Sequence, residues 1–71
     1  MNHAMTRAEL TEKILQIRID RDLTWKWIAE QSGLSKEFTT AAVLGQMALP
    51  AEAARKVGTA LDLNSHEVKL L

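Results

Sequence analysis

Leu10, Ile14 and Ile17 recur at steps of four and three, the spacing that places side chains on one face of an α-helix. Thr6 followed by Glu9 has the capping-box spacing, in which a hydroxyl and a carboxylate satisfy the unpaired donors of a helix start. The solvated run Arg18, Asp20, Arg21 and Asp22 ends this first helix. A second helix is predicted from Thr24, whose hydroxyl can cap it, to about Ser32, where Gly33 supplies a left-handed turn. Ser35 caps a third helix, with Phe38, Ala41, Ala42 and Gly45 expected on its buried face. Pro50 suits the first position of a fourth helix, where its missing N–H costs nothing, and Ala54, Val57 and Leu61 form the buried stripe. Gly58, inside that helix, predicts a close approach by a neighbouring helix. Asn64 or Ser65 opens a last short helix containing Val68, Leu70 and Leu71.

These elements predict an all-α domain, a compact five-helix bundle over residues 6–71 preceded by a disordered terminus over residues 1–5. Its core is expected to hold Leu10, Ile14 and Ile17 from the first helix and Ile28 and Ala29 from the second. Leu34, Phe38, Ala42, Val57 and Leu61 complete it. The apolar end at Leu70 and Leu71 predicts a helix that continues or packs on something.

Composition narrows the functional classes. Seventy-one residues make one small domain, which buries only roughly 60% of its unfolded surface and is correspondingly marginal. There is no cysteine, so no disulfide or thiolate metal site reinforces it. Nine Lys plus Arg balance nine Asp plus Glu, so the basic excess of a nucleic-acid or membrane-surface binder is missing. His3 and His66 sit near opposite ends with no further ligands beside them, and no metal site is expected. The three glycines, Gly33, Gly45 and Gly58, are scattered singly, so there is no phosphate-binding loop. The longest strictly apolar run, Ala41 to Leu44, is far short of the roughly 20 residues of a spanning helix. The first residues lack the basic-then-apolar order of a signal peptide, and a cytoplasmic location is expected.

The two helices joined by Ser32-Gly33-Leu34, with Ala29 four residues before the glycine, resemble the helix-turn-helix of λ repressor-like domains. A closer resemblance lies in the run from Phe38 to Arg55, FTTAAVLGQMALPAEAAR. With Leu23-Thr24-Trp25, Ile28-Ala29, Gly33-Leu34, Val57-Gly58 and Leu61-Asp62-Leu63, it is similar to the amino-terminal domain of the cyanases (cyanate hydratases). Leu44-Gly45-Gln46 and Leu49-Pro50 are its most specific parts, and the resemblance covers Leu10 to Leu71.

The resemblance implies a parent enzyme that converts cyanate and bicarbonate to carbon dioxide and carbamate, the carbamate then releasing ammonia. It implies no metal or organic cofactor, and homo-oligomers that are decamers in the family. The family's catalytic arginine, glutamate and serine belong to a carboxy-terminal domain. Ser35, Glu52 and Arg55 are the right residue types but match none of that motif, so no catalytic residue is assigned in this chain. The fragment is expected to be inactive alone, with an assembly role.

A DNA-binding regulator is the alternative. With Phe38, Ala41, Ala42 and Gly45 inward, the third helix would present Lys36, Thr40, Val43 and Met47, with Leu44 alongside. Reading base edges needs Arg, Lys, Asn or Gln, and no residue from Phe38 to Ala51 is charged. An apolar outer face points to burial against protein. Trp25 shares a face with Ile28 and Ala29, whereas Trp27, about 200° away, is expected to point outward as an interface anchor. The expected interface therefore comprises Trp27, Val43, Leu44, Met47, Leu70 and Leu71, with no nucleic-acid and no membrane partner.

Overall fold

The computed structural model describes residues 5–71, so His3 and all but the last residue of the expected disordered terminus lie outside the described residues. Met5, within them, is half-buried against the core. Five helices follow in order, and no strand occurs among the described residues.

α1 (Arg7–Asp20) opens with the predicted capping box: the Thr6 hydroxyl accepts from Glu9 N–H at 3.2 Å and the Glu9 carboxylate from Thr6 N–H at 2.8 Å. α2 (Trp25–Ser32) is capped by Thr24, whose hydroxyl accepts from Trp27 N–H at 3.0 Å, and is closed by Gly33 at φ 78°. α3 (Lys36–Val43) is capped by Ser35, and α5 (Ser65–Leu70) by an Asn64–Glu67 capping box. α4 (Ala51–Leu61) begins one residue later than the sequence suggests, with Pro50 as its N-cap rather than its first residue. Asp62 ends it in the left-handed region, at φ 60°. α2 packs on α3 and α4, α4 on α5, and α1 on α5.

Leu10, Ile14, Ile28, Ala29, Ala42, Val57 and Leu61 are buried as expected, while Ile17, Leu34 and Phe38 are only half-buried at the edge of the core. Leu49, Ala53 and Leu71 join the core from positions not assigned to it, and so does Val43.

α3 corrects the sequence reading. Its buried residues are Thr39, Ala42 and Val43; Phe38 and Ala41 are half-buried, and Gly45 is exposed in the following turn. The inward face is thus rotated by about 100°, one residue's step, from the expected one. Thr39, a polar residue, now faces inward. Its hydroxyl, however, lies 2.9 Å from Ser32 Oγ, which is itself 2.8 Å from Ala29 O. A buried hydroxyl with a partner carries little penalty, so the threonine can sit at the α2–α3 crossing.

Candidate interaction surface

The rotation of α3 redraws the outward surface. Val43 has no exposed surface and lies in the chain's own core, so it is not the outward residue that helical periodicity suggested. Leu44 and Met47 do face outward, 43% and 49% exposed, in the turn that leaves α3. Trp27 does not project freely: it is half-buried, packed against the core. Leu71 is buried and Leu70 half-buried, because α5 folds the chain end back onto the domain. Leu49 N–H donates to Leu71 O at 2.9 Å and fixes that return. The anticipated stripe is therefore reduced to Leu44 and Met47, with Leu70 and Trp27 partly covered.

The turn carrying Leu44 is held from α1. The last carbonyls of a helix have no partner within it. Here the Arg7 guanidinium donates to the carbonyls of Ala42 and Val43, the latter at 3.1 Å. Thr11 Oγ1 donates to the same Val43 oxygen at 2.9 Å and accepts from Arg7 at 2.8 Å. A cation at a helix C-terminus also complements the helix dipole. Burial pulls the Arg7 guanidinium below the ordinary arginine value, the mark of a group partly withdrawn from water. Nothing in the sequence pattern flagged Arg7, because its partners lie 35 and 36 positions away.

Beside Leu49, the residues Ala51, Ala54, Val68, Leu70 and Leu71 line a shallow apolar cleft of about 430 Å³. Ala48, the residue after Met47, lines it as well.

The face that a repressor would present to DNA is poorly equipped. The exposed part of α3 offers Lys36 beside Glu37, then half-exposed Thr40 and Ala41. One cation next to an anion supplies neither base reading nor phosphate neutralisation.

Residue types that could do chemistry are engaged elsewhere or apart. Ser35 caps α3, Glu52 lies 3.7 Å from Lys56, and Arg55 is exposed on α4. His66 is exposed, its Nε2 3.4 Å from Met5 O, and no group of three or more potential metal ligands occurs among the described residues. No helix of the described residues is long and apolar enough to cross a membrane.

Glu67 is a buried charge that the sequence reading did not single out. It is 2% exposed, and its Oε2 lies 2.6 Å from Lys13 Nζ. Its Oε1 accepts from Asn64 N–H at 2.9 Å. The Lys13 hydrogen bond and the Asn64 N–H hold its carboxyl below the usual carboxylate range against the opposing effect of burial. The Asn64-x-x-Glu67 spacing was the signal that could have found its capping half.

Over residues 7–71 the sequence matches the family described as cyanate hydratase, N-terminal. The cyanate hydratase of Albidiferax ferrireducens is 46% identical to it over 67 residues, which cover 94% of this chain and 46% of that protein. The chain therefore spans about half the length of the relative it matches.

Proposed function

This chain belongs to the cyanate hydratase amino-terminal family, and from that premise we propose that it is the assembly half of a cyanate-converting lyase. The parent enzyme joins cyanate to bicarbonate, releasing carbon dioxide and a carbamate that breaks down to ammonia. Cyanate and bicarbonate bind outside this domain, and its own task is to bring subunits together in a cytoplasmic homo-oligomer of ten. The observation that carries this reading is the family match over residues 7–71. Supporting it, the match covers less than half of the relative's length. The exposed apolar side chains of Leu44 and Met47 favour a protein-contacting domain over a nucleic-acid reader. Trp27 and Leu70 contribute their uncovered edges to the contact, and Val43 and Leu71 support it from beneath.

The test is an ammonia-release assay with cyanate and bicarbonate. The 71-residue chain alone should give no release above buffer. The same chain joined to the second half of the Albidiferax ferrireducens protein should release ammonia only when bicarbonate is present. Bicarbonate-dependent turnover by the isolated chain would overturn the assignment of chemistry to the other half.

A further inference from the structure

Among the described residues, Glu67 is the one charged side chain that is buried, and the assembly reading makes no use of it. Water is replaced at its carboxylate by two partners. Lys13 Nζ lies 2.6 Å from Oε2, reaching across from α1, and Asn64 N–H donates to Oε1 at 2.9 Å. Lys13 keeps 39% of its side chain in solvent, so only the carboxylate depends wholly on the pair. α5 itself has six residues, well below the roughly 12–15 at which an isolated helix becomes even marginal in water. Its helical state therefore rests on tethers to the rest of the domain. Those visible are the Lys13–Glu67 pair to α1, Val68 over Gly58 of α4, and Leu49 N–H bonded to Leu71 O.

We infer that the Lys13–Glu67 pair is an acid-sensitive latch that holds α5 on α1, and that neutralising Glu67 releases α5 while the remaining helices stay folded. Two charged groups act on Glu67: Lys13 from α1 and His66 from its own helix, both favouring the carboxylate. α4 meets α5 at Gly58, which brings no charge. The lowered carboxyl supports the geometry: the latch stays closed through neutral and weakly acidic solution and opens only below the ordinary carboxylate range. Opening frees Val68, Leu70 and Leu71 together with the α4 surface beneath them, and so enlarges the apolar region beside Leu49. Local opening of a short, lightly anchored element is the physical form such a device takes.

Amide hydrogen exchange on the 71-residue chain tests this, with protection followed at Val68 in α5 and Leu71 at its C-cap, and at Ile28, Ala42 and Val57 in the other helices. Glu67→Gln keeps a capping-box side chain while removing the charge. Lys13→Met removes the partner and keeps the stem. At neutral pH each variant should lower α5 protection by at least about tenfold, the scale of a charge-assisted hydrogen bond, and change the other helices by less than twofold. In the unsubstituted chain the same selective loss should appear on acidification below the carboxylate range, and Glu67→Gln should abolish that pH dependence. Equal loss in all helices, no loss in α5, or a variant without helix content would each overturn the latch.

Discussion

The Val68 side chain occupies the space where a Cβ on Gly58 would stand: a methyl group built there would overlap Val68 Cγ2 and approach Val68 Cβ to 3.6 Å. The glycine is therefore a notch in α4 into which α5 sets a β-branched side chain. Glycine inside a helix costs about 1 kcal/mol relative to alanine. Here the close approach of two helices offsets that cost.

Gly58→Ala should accordingly destabilise the domain despite its gain in helix propensity. Overpacking costs typically about 1–3 kcal/mol, and valine, stiff at χ1, has little freedom to yield. Val68→Ala in the same chain should remove the clash and recover much of the loss. Urea unfolding of the two single variants and the double variant measures this. A Gly58→Ala chain at least as stable as the parent would show that Val68 moves aside freely.

Arg7 makes a second test of long-range fit. Arg7→Met retains the apolar stem but strips the guanidinium from the carbonyls of Ala42 and Val43, leaving the first to Gly45 N–H and the second to Thr11. The expected loss is about 1–3 kcal/mol, the range for hydrogen bonds involving a charged group. Thr11→Val should cost less, and the double variant should depart from additivity because both side chains share one carbonyl. Denaturant midpoints of the three variants check this. Additive losses would mean that the two side chains act independently.

Which features the sequence discloses follows from how far apart the partners lie. The caps at Thr6, Thr24 and Ser35 were legible because each satisfies an amide three residues away, and Asn64 was one of the two starts the pattern allowed for α5. Gly33 was legible because a left-handed turn restricts residue type on its own. The inward face of α3 was not, because Thr39 is admitted to the core by Ser32, seven residues earlier in another helix. Val43 was assigned outward for the same reason: once α3 rotates to bury Thr39, Val43 follows it inward. Glu67 reads as an ordinary capping glutamate until Lys13, 54 positions away, folds against it. The family resemblance was legible in contiguous motifs, and it does not depend on which face of α3 is buried.

Glu67 also makes stability depend on pH in a definite direction. Its carboxyl is held below the usual range in the folded chain, chiefly by Lys13 and then by Asn64 N–H, and relaxes to the ordinary value on unfolding. The folded state then binds the proton less readily than the unfolded state. Its contribution is complete above the ordinary carboxylate pKa and is lost as pH falls through the lowered folded value. The difference in unfolding free energy between the parent chain and Glu67→Gln should be largest at neutral pH and shrink on acidification. A difference constant from neutral to strongly acidic pH would show that the pair does not stabilise the fold.

Duplex DNA provides a negative test of the helix-turn-helix resemblance. The chain has zero formal net charge, and α3 presents Lys36 next to Glu37. No retardation is expected in a low-salt mobility shift. A shifted band that weakens steeply with added salt would be the signature of phosphate neutralisation and would restore the regulator reading.

Association of the isolated domain is the most direct test of the interaction surface, and the corrected burial changes which substitutions are informative. Burying a large apolar side chain contributes about 1.5–3 kcal/mol, while association costs on the order of 4–15 kcal/mol in lost freedom. The proposed contact through Leu44 and Met47 with the edges of Leu70 and Trp27 therefore predicts weak self-association of this domain on its own. Leu44→Lys and Met47→Lys should reduce association in sedimentation over a concentration series while leaving helix content intact, because both side chains already stand in solvent. Val43→Lys belongs to a different class. It places an ammonium at a position with no exposed surface, so it should unfold the domain rather than separate subunits. Trp27→Glu should do some of both, since that ring is half-buried against the core. A parent chain that remains monomeric at the highest concentration would remove Leu44 and Met47 from the interface. So would Lys variants that associate as strongly as the parent. Neither result would touch the family assignment, which rests on the match over residues 7–71.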